Sequence, residues 1–320
     1  DAQFEVIEGL NVKVNLYKSR FMNDYKQWED PENSLGDDNH GLAVRRNMKW
    51  DRDLMEWTAN YTKAFGADEK HKVDAVAGYS WESNSFGSQY AKATNFAVSS
   101  MGADNIQAGN NLKIGDVTSD YNNYKLISFF ARAHYSFDER YMITATVRRD
   151  GSSLFGVNNR YGVFPAFSAG WRIKDEAFME DADWLSDLKI RFSWGTNGSV
   201  QGLPRGYTTT PFTTNYFDTA YPIKGQATGA LQSGYRRTWI GNPDLKWETT
   251  KQTDFGVDFG FFNQRLTGSF DYYYKKTNDI LVQTPYIAAM GEGGEPWVNG
   301  ASMNNQGVEF TVSFKSDPSS

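Results

Sequence analysis

Apolar and polar side chains alternate with a period of two along most of this chain, and the pattern recurs many times. Between 126 and 136, Ile127, Phe129, Ala131, Ala133 and Tyr135 alternate with Ser128, Arg132, His134 and Ser136. The same alternation runs through 141–148, 188–194, 254–261, 265–275 and 308–315. Successive side chains of a strand point to opposite faces, so each run predicts one apolar, ring-rich face and one polar or charged face. Weaker runs cover 10–21, 49–65, 71–90 and 161–173, bringing the expectation to roughly ten strands. Many are longer than an ordinary globular strand and suit a tilted membrane crossing.

The connections between these runs alternate in length. Short links fall at 66–69, 137–140 and 263–264, and a brief helical piece is expected over 175–185. Long polar segments fall at 22–48, 91–124, 150–160, 199–246 and 284–304. Several long loops in a compact domain would count against the strand assignment. An outer-membrane barrel has this alternation by construction, with tight turns on one side and long loops on the other. The pattern therefore predicts an all-β, antiparallel transmembrane β-barrel wall with long extracellular loops. Rings near strand ends (Tyr141, Trp171, Trp184, Trp194 and Trp247) are expected to form interfacial girdles. The competing architecture is a soluble β-sandwich or propeller with one solvated face, because periodicity does not tell inside from outside.

Composition narrows the choice. The 320 residues include 22 Phe, 18 Tyr, 10 Trp and 29 Gly, yet only 39% are hydrophobic. Abundant rings and glycines with modest aliphatics favour extended structure. No stretch approaches 18 uninterrupted apolar residues, which excludes a membrane-spanning helix but not spanning strands. The absence of cysteine excludes a disulfide scaffold and a Cys-ligated zinc site. A formal net charge of -6 argues against a nucleic-acid surface. The opening Asp1-Ala2-Gln3-Phe4 lacks the charged and apolar regions of a signal peptide, and both ends read as cut, so a piece of a longer protein is expected.

Two blocks resemble a known family. The first runs from Arg148-Arg149-Asp150-Gly151-Ser152-Ser153 through Phe155-Gly156, Asn158-Asn159-Arg160-Tyr161-Gly162 and Phe164-Pro165. It continues through Ser168-Ala169-Gly170-Trp171-Arg172-Ile173 to Trp184-Leu185-Ser186-Asp187-Leu188-Lys189-Ile190-Arg191. The second opens on Asn242-Pro243-Asp244-Leu245-Lys246-Trp247-Glu248-Thr249-Thr250 and passes Asp258-Phe259-Gly260-Phe261, Asp271-Tyr272-Tyr273 and Lys275-Lys276-Thr277 to Asn305-Gln306-Gly307-Val308-Glu309. Together they resemble the SusC/RagA-type TonB-dependent transporters of Bacteroidetes outer membranes, over roughly 124–200 and 241–315. The resemblance implies residence in a Gram-negative outer membrane, in a plugged barrel of roughly 22 strands. It also implies TonB-driven import of a glycan oligomer or a peptide under a SusD-like surface lipoprotein, with the TonB complex contacting a segment outside this chain. On that reading residues 1–320 are part of one barrel domain, with the plug and barrel ends elsewhere. The alternatives from other classes are a soluble β-rich glycan-binding module and an outer-membrane barrel enzyme.

Candidate chemistry is sparse. His40, His71 and His134 are not spaced with one another, or with a Glu, as a metal site needs. His134 falls on a polar strand face and is expected to line the lumen. Asp181 and Asp183, with Glu176 and Glu180, lack the Gly and distal Glu of a calcium loop and read as a solvated turn. Asp150-Gly151-Ser152-Ser153 reads as a loop-entry turn. Gly291-Glu292-Gly293-Gly294 lacks the Lys-Ser/Thr of a P-loop. The sequons at Asn60 and Asn197 fall in predicted strands. No catalytic set, metal site or cofactor is expected. Ligand contact is the open function, because sugars and peptides are held by ring faces and planar hydrogen-bonding groups. The 199–246 loop carries Tyr207, Tyr216, Tyr221, Tyr235, Arg236, Arg237 and Trp239, the 284–304 loop carries Trp297 and Asn299, and Tyr25 and Trp28 sit in the first long segment. Arg236, Arg237, Trp239 and Trp297 are the candidate ligand or lid contacts. Arg132, Arg148, Lys189, Arg191, Asp254 and Asp258 are expected to face the interior or a partner, since a charge on the lipid face costs roughly 2–4 kcal/mol at mid-membrane.

Overall fold

The computed structural model describes residues 1–33, 39–66, 68–98, 100, 102–113, 115–200, 202–213, 221, 234–285 and 294–316. Eleven strands form one sheet: β1 (Ala2–Ile7), β2 (Leu10–Glu29), β3 (Leu42–Phe65), β4 (His71–Thr94), β5 (Val117–Phe137), β6 (Tyr141–Ser152), β7 (Tyr161–Arg172), β8 (Leu185–Ser199), β11 (Glu248–Phe261), β12 (Leu266–Gln283) and β13 (Trp297–Phe314). β9 (Phe212–Thr213) and β10 (Arg236–Arg237) pair separately within the long loop between β8 and β11. The order in the sheet follows the chain and every pair is antiparallel, an up-and-down meander. The additional strand relative to the sequence expectation is β1, whose 6 residues are too few for alternation to stand out.

Register fixes the faces, because partners directly opposite share one. The outward column on β8 is Leu188, Ile190, Phe192 and Trp194, opposite Phe259, Val257, Phe255 and Thr253 of β11. Trp171, Tyr141, Phe137, His71 and Phe65 continue that face across β7 to β3. Arg132, Arg148, Lys189, Arg191, Asp254 and Asp258 all fall on the opposite, inward face, as expected. Arg191 donates to Asp258 at 2.7 and 2.9 Å and to Asp271 at 2.8 Å, so its charge is neutralised inside. His134 also faces inward, with its ring nitrogen 2.8 Å from Thr144 Oγ1.

The lower turns are short and ringed. Phe65 stacks on His71, Tyr141 on Trp171 and Trp184 on Phe261, with centroids 5.1, 6.4 and 5.8 Å apart. These rings form an interfacial girdle. The helix expected over 175–185 is not formed. In its place are two 3₁₀ turns, Ile173–Asp175 and Ala177–Met179, separated by Glu176 in an extended conformation. The Glu176 carboxylate accepts bonds from Trp171 Nε1 at 2.9 Å and from Tyr141 Oη, and this ties the backbone out of a continuous helix.

Three further expectations are corrected. Residues 22–29, 42–48, 91–94, 117–124 and 297–304 of the expected loops are strand, so Tyr25 and Trp28 lie in β2 and Trp297 and Asn299 in β13, and Trp28 packs edge-on against Phe96, centroids 4.9 Å apart. Asp150-Gly151-Ser152 is the end of β6, and the turn begins one residue later, with Ser152 Oγ accepting from the Leu154 amide. Trp247 is not in a girdle. It is buried against Phe155 and Phe164, with Nε1 donating to the Arg160 carbonyl at 3.2 Å. Trp247 belongs to a core above the short strands made with Leu154, Phe155, Phe164, Leu203, Leu245 and Leu281. The alternation rule fails here because the loop-side environment of that core is protein rather than lipid.

Candidate functional site

Four neighbouring strands change phase at one height. On β3 the odd positions Met55, Trp57, Ala59, Tyr61 and Phe65 are apolar and face outward, with Lys63 breaking the column near the lower turn, whereas higher up Lys49, Asp51 and Asp53 take that face and Trp50 and Leu54 face inward. The flip is marked by adjacent apolar pairs: Leu16-Tyr17 on β2, Leu54-Met55 on β3 and Leu126-Ile127 on β5. Register joins them in two rows, Leu16–Met55–Trp81–Ile127 outward and Tyr17–Leu54–Glu82–Leu126 inward. Below the flip, 55–65, 71–81 and 127–137 match the roughly 9–11 residues of a tilted crossing. Above it, residues 42–54 of β3 run on for roughly 40 Å of strand. Lipid demands an apolar outward face. Water above the bilayer permits ion pairs there, and Lys18–Asp53 (3.0 Å), Arg20–Asp51 (2.6 Å) and Lys49–Asp51 (2.9 Å) occupy it.

The inward side of this tall sheet carries an aromatic ladder. Trp50 lies between Phe21 and Phe86, with centroids 5.2 and 5.1 Å away. Immediately below, Arg52 holds Glu82 through two bonds of 2.9 and 3.0 Å and lies 5.9 Å from the Tyr17 ring. Asn84 donates to Glu82 at 2.7 Å. Arg205, from the loop after β8, donates to the Asn84 carbonyl at 3.4 Å and sits 4.5 Å over the Tyr124 ring. Its Nη1 is buried with no hydrogen-bond partner among the described residues, and burial lowers its pKa. The strip combines exposed ring faces with planar donors and acceptors, the combination that holds sugars and peptides. Sequence reasoning passed over Trp50, Phe86, Arg52, Glu82 and Arg205. The reversed phase of alternation was the available signal for the first four; Arg205 carried none.

The sequence-chosen residues sit elsewhere. Tyr207 stacks on Trp239, centroids 4.4 Å apart, and meets Trp297 edge-on at 6.1 Å, so these three come together. Arg236 and Arg237 form β10, opposite Thr213 and Phe212. Trp297 packs against the buried core, and the indole nitrogens of Trp239 and Trp297 are buried without a hydrogen-bond partner among the described residues. Asn299 is a loop clamp, accepting from the Lys246 amide at 3.0 Å and donating to the Lys246 and Asp279 carbonyls at 2.8 Å. Tyr221 and Tyr235 are exposed, whereas Tyr216 and residues 291–293 lie outside the described residues.

An antiparallel meander with one apolar, ring-bordered face and one charged face, and with short turns opposite long loops, is the wall of an outer-membrane β-barrel. The chain belongs to the TonB dependent receptor-like, beta-barrel family, which matches residues 4–317, and it resides in the outer membrane of a Gram-negative cell. It is 30% identical over 315 residues to TonB-dependent receptor P3 of Formosa agariphila, covering 98% of this chain and 30% of that protein. It is 36% identical over 210 residues to TonB-dependent receptor SusC of Bacteroides thetaiotaomicron, covering 65% of this chain and 20% of that protein. In the structure of the RagAB peptide transporter, one chain superposes with a TM-score of 0.84 at 28% identity, covering 99% of this chain and 33% of that one. The copper transporter OprC, at 13% identity and a TM-score of 0.55, shares the fold alone. The chain thus spans about a third or less of P3, SusC and the RagAB chain, and these relatives are receptors and transporters rather than enzymes.

Proposed function

We propose that this chain is a continuous stretch of wall in one TonB-dependent importer barrel, with the plug and the TonB-contacting segment carried elsewhere in the full protein. The cargo is a glycan oligomer, and it first docks on the inward strip of Trp50, Phe86, Arg52 and Glu82. The observation that carries this reading is the phase flip, which turns rings inward above the bilayer where lipid no longer asks for them. Ring faces suit sugar C–H surfaces, and the neighbouring carboxylate and guanidinium suit hydroxyls. Kinship with SusC supports a SusD-like lipoprotein lid, and Arg236, Arg237, Trp239 and Trp297 form the rim that meets it.

A peptide is the second reading, favoured by the fit to the RagAB peptide transporter over 99% of the chain. The test measures uptake of labelled oligosaccharides and of labelled peptides by cells carrying the full-length protein with Trp50→Ala and Phe86→Ala. Uptake of the glycan should fall about tenfold, roughly 1.4 kcal/mol of cargo binding, at unchanged surface abundance. Loss of peptide uptake alone would assign the site to peptides, and unchanged uptake of both would remove the strip from the cargo path. Alanine at Arg236, Arg237, Trp239 and Trp297 should weaken lipoprotein capture with the strip intact.

A further inference from the structure

The outward face ends at its upper border in cations. On β11 the apolar column Phe261, Phe259, Val257 and Phe255 passes through Thr253 to Lys251, and on β12 Phe270, Tyr272 and Tyr274 lead to Lys276. Lys251 and Lys276 are direct register partners, side by side on one face, flanked by Thr196 of β8 and Asn304 of β13. Further round the wall, the outward position just above the apolar band is Arg149 on β6, Lys125 on β5 and Lys18 on β2. Lys18 has Asp53 at 3.0 Å, and Arg149 lies 4.4 Å over the Tyr161 ring. Lys125, Lys251 and Lys276 have no carboxylate partner among the described residues. At the lower border Arg140 is paired with Asp138 and Glu176, and Lys63 stands alone on the outward face without a second cation as its register partner.

Like charges directly opposite destabilise a sheet. Here the two ammonium groups stand where the apolar band meets the outer bilayer surface, a surface built of phosphorylated glycolipid in a Gram-negative outer membrane. Lysine serves as a point-charge ligand for phosphate, and basic groups at a bilayer surface draw anionic headgroups. We propose that Lys251 and Lys276 together bind the phosphate of an outer-leaflet glycolipid, with Lys125 and Arg149 as further phosphate contacts around the wall. This is a lipid site on the outside of the barrel, independent of what the lumen carries.

The test purifies the full-length protein in mild detergent and measures retained lipid A per protein by mass spectrometry. The wild type should retain it, Lys251→Gln/Lys276→Gln should retain at least fivefold less, and Lys275→Gln, one residue away on the inward face, should match wild type. Equal retention by the double variant, or equal loss in Lys275→Gln, would overturn the proposal. If the double variant loses the heat-modifiable migration of a folded barrel, the decision passes to thermal unfolding of the wild type with added lipid A, its dephosphorylated form, or inorganic phosphate. Protection by phosphorylated lipid A alone supports a lipid phosphate site. Equal protection by the dephosphorylated lipid, or by inorganic phosphate, overturns it.

Discussion

Two parts of this wall cross the same bilayer and end differently. β2 to β5 run 20, 24, 24 and 21 residues and continue as sheet far above the membrane, whereas β6, β7, β8 and β11 run 12, 12, 15 and 14 and stop near its surface. Above the short strands the chain folds inward into loops sealed by Leu154, Phe155, Phe164, Leu245 and Trp247. Above the tall strands the backbone satisfies its hydrogen bonds in the sheet, a smaller core of Ala43, Ala93, Phe96 and Ala103 with Trp28 against it caps their tops, and the rings of Phe21, Trp50 and Phe86 lower down stay accessible. The short half therefore packs its loop-side rings into one core, whereas the tall half packs Trp28 and Phe96 at its top and presents Phe21, Trp50 and Phe86 to the lumen.

The largest expected effect tests the packed half. Trp247→Ala removes a buried ring from the loop core and should cost about 3–5 kcal/mol, seen as a lower unfolding midpoint and as proteolytic cleavage within 200–247. Stability unchanged from wild type would mean that the loops are held by something other than this core. Next in size is a test of the flip itself. Ala75→Lys places a charge on the lipid face at mid-crossing and should cost roughly 2–4 kcal/mol in vesicles. Ser85→Lys, ten residues up on the same outward column of β4, should stay within about 0.5 kcal/mol. Similar costs at both positions would put the bilayer surface elsewhere.

The smallest effect concerns the lower turns, which the two halves share. Bonds from Tyr141 and Trp171, with the charge of Arg140, hold the Glu176 carboxyl below its ordinary value of 4.5. A carboxyl with a lowered folded pKa adds stability that is present above its unfolded value and is lost as pH falls through the folded one. Acidification below about pH 4.5 should therefore loosen this turn, with faster amide exchange over 173–182 and a shift in Trp171 fluorescence. Glu176→Gln should abolish that pH dependence; if the exchange profile kept its acid transition, another group would be responsible.

Strand identity was readable wherever one face met lipid. Alternation over 127–137 and 254–261 placed the outward and inward columns correctly, including Arg191 and Asp258, because a period of two and the exclusion of charge from hydrocarbon leave one solution. The same logic erred over 22–29, 42–48, 91–94 and 117–124, where water bathes the outer face and polar positions mimic a loop. Trp247 was misplaced for a related reason: one indole reads alike whether it meets headgroups or a protein core.

The sequence by itself determined the all-β meander, the side of each charge within the bilayer, the girdle of Tyr141, Trp171 and Trp184, and the family resemblance. Only the tertiary structure decided which rings are packed and which are presented. Trp50 meets Phe21 and Phe86, and Arg205 meets Tyr124, across 29, 36 and 81 positions of chain. Register and loop folding bring such residues together, and those arise from the summed packing of many strands rather than from any local pattern.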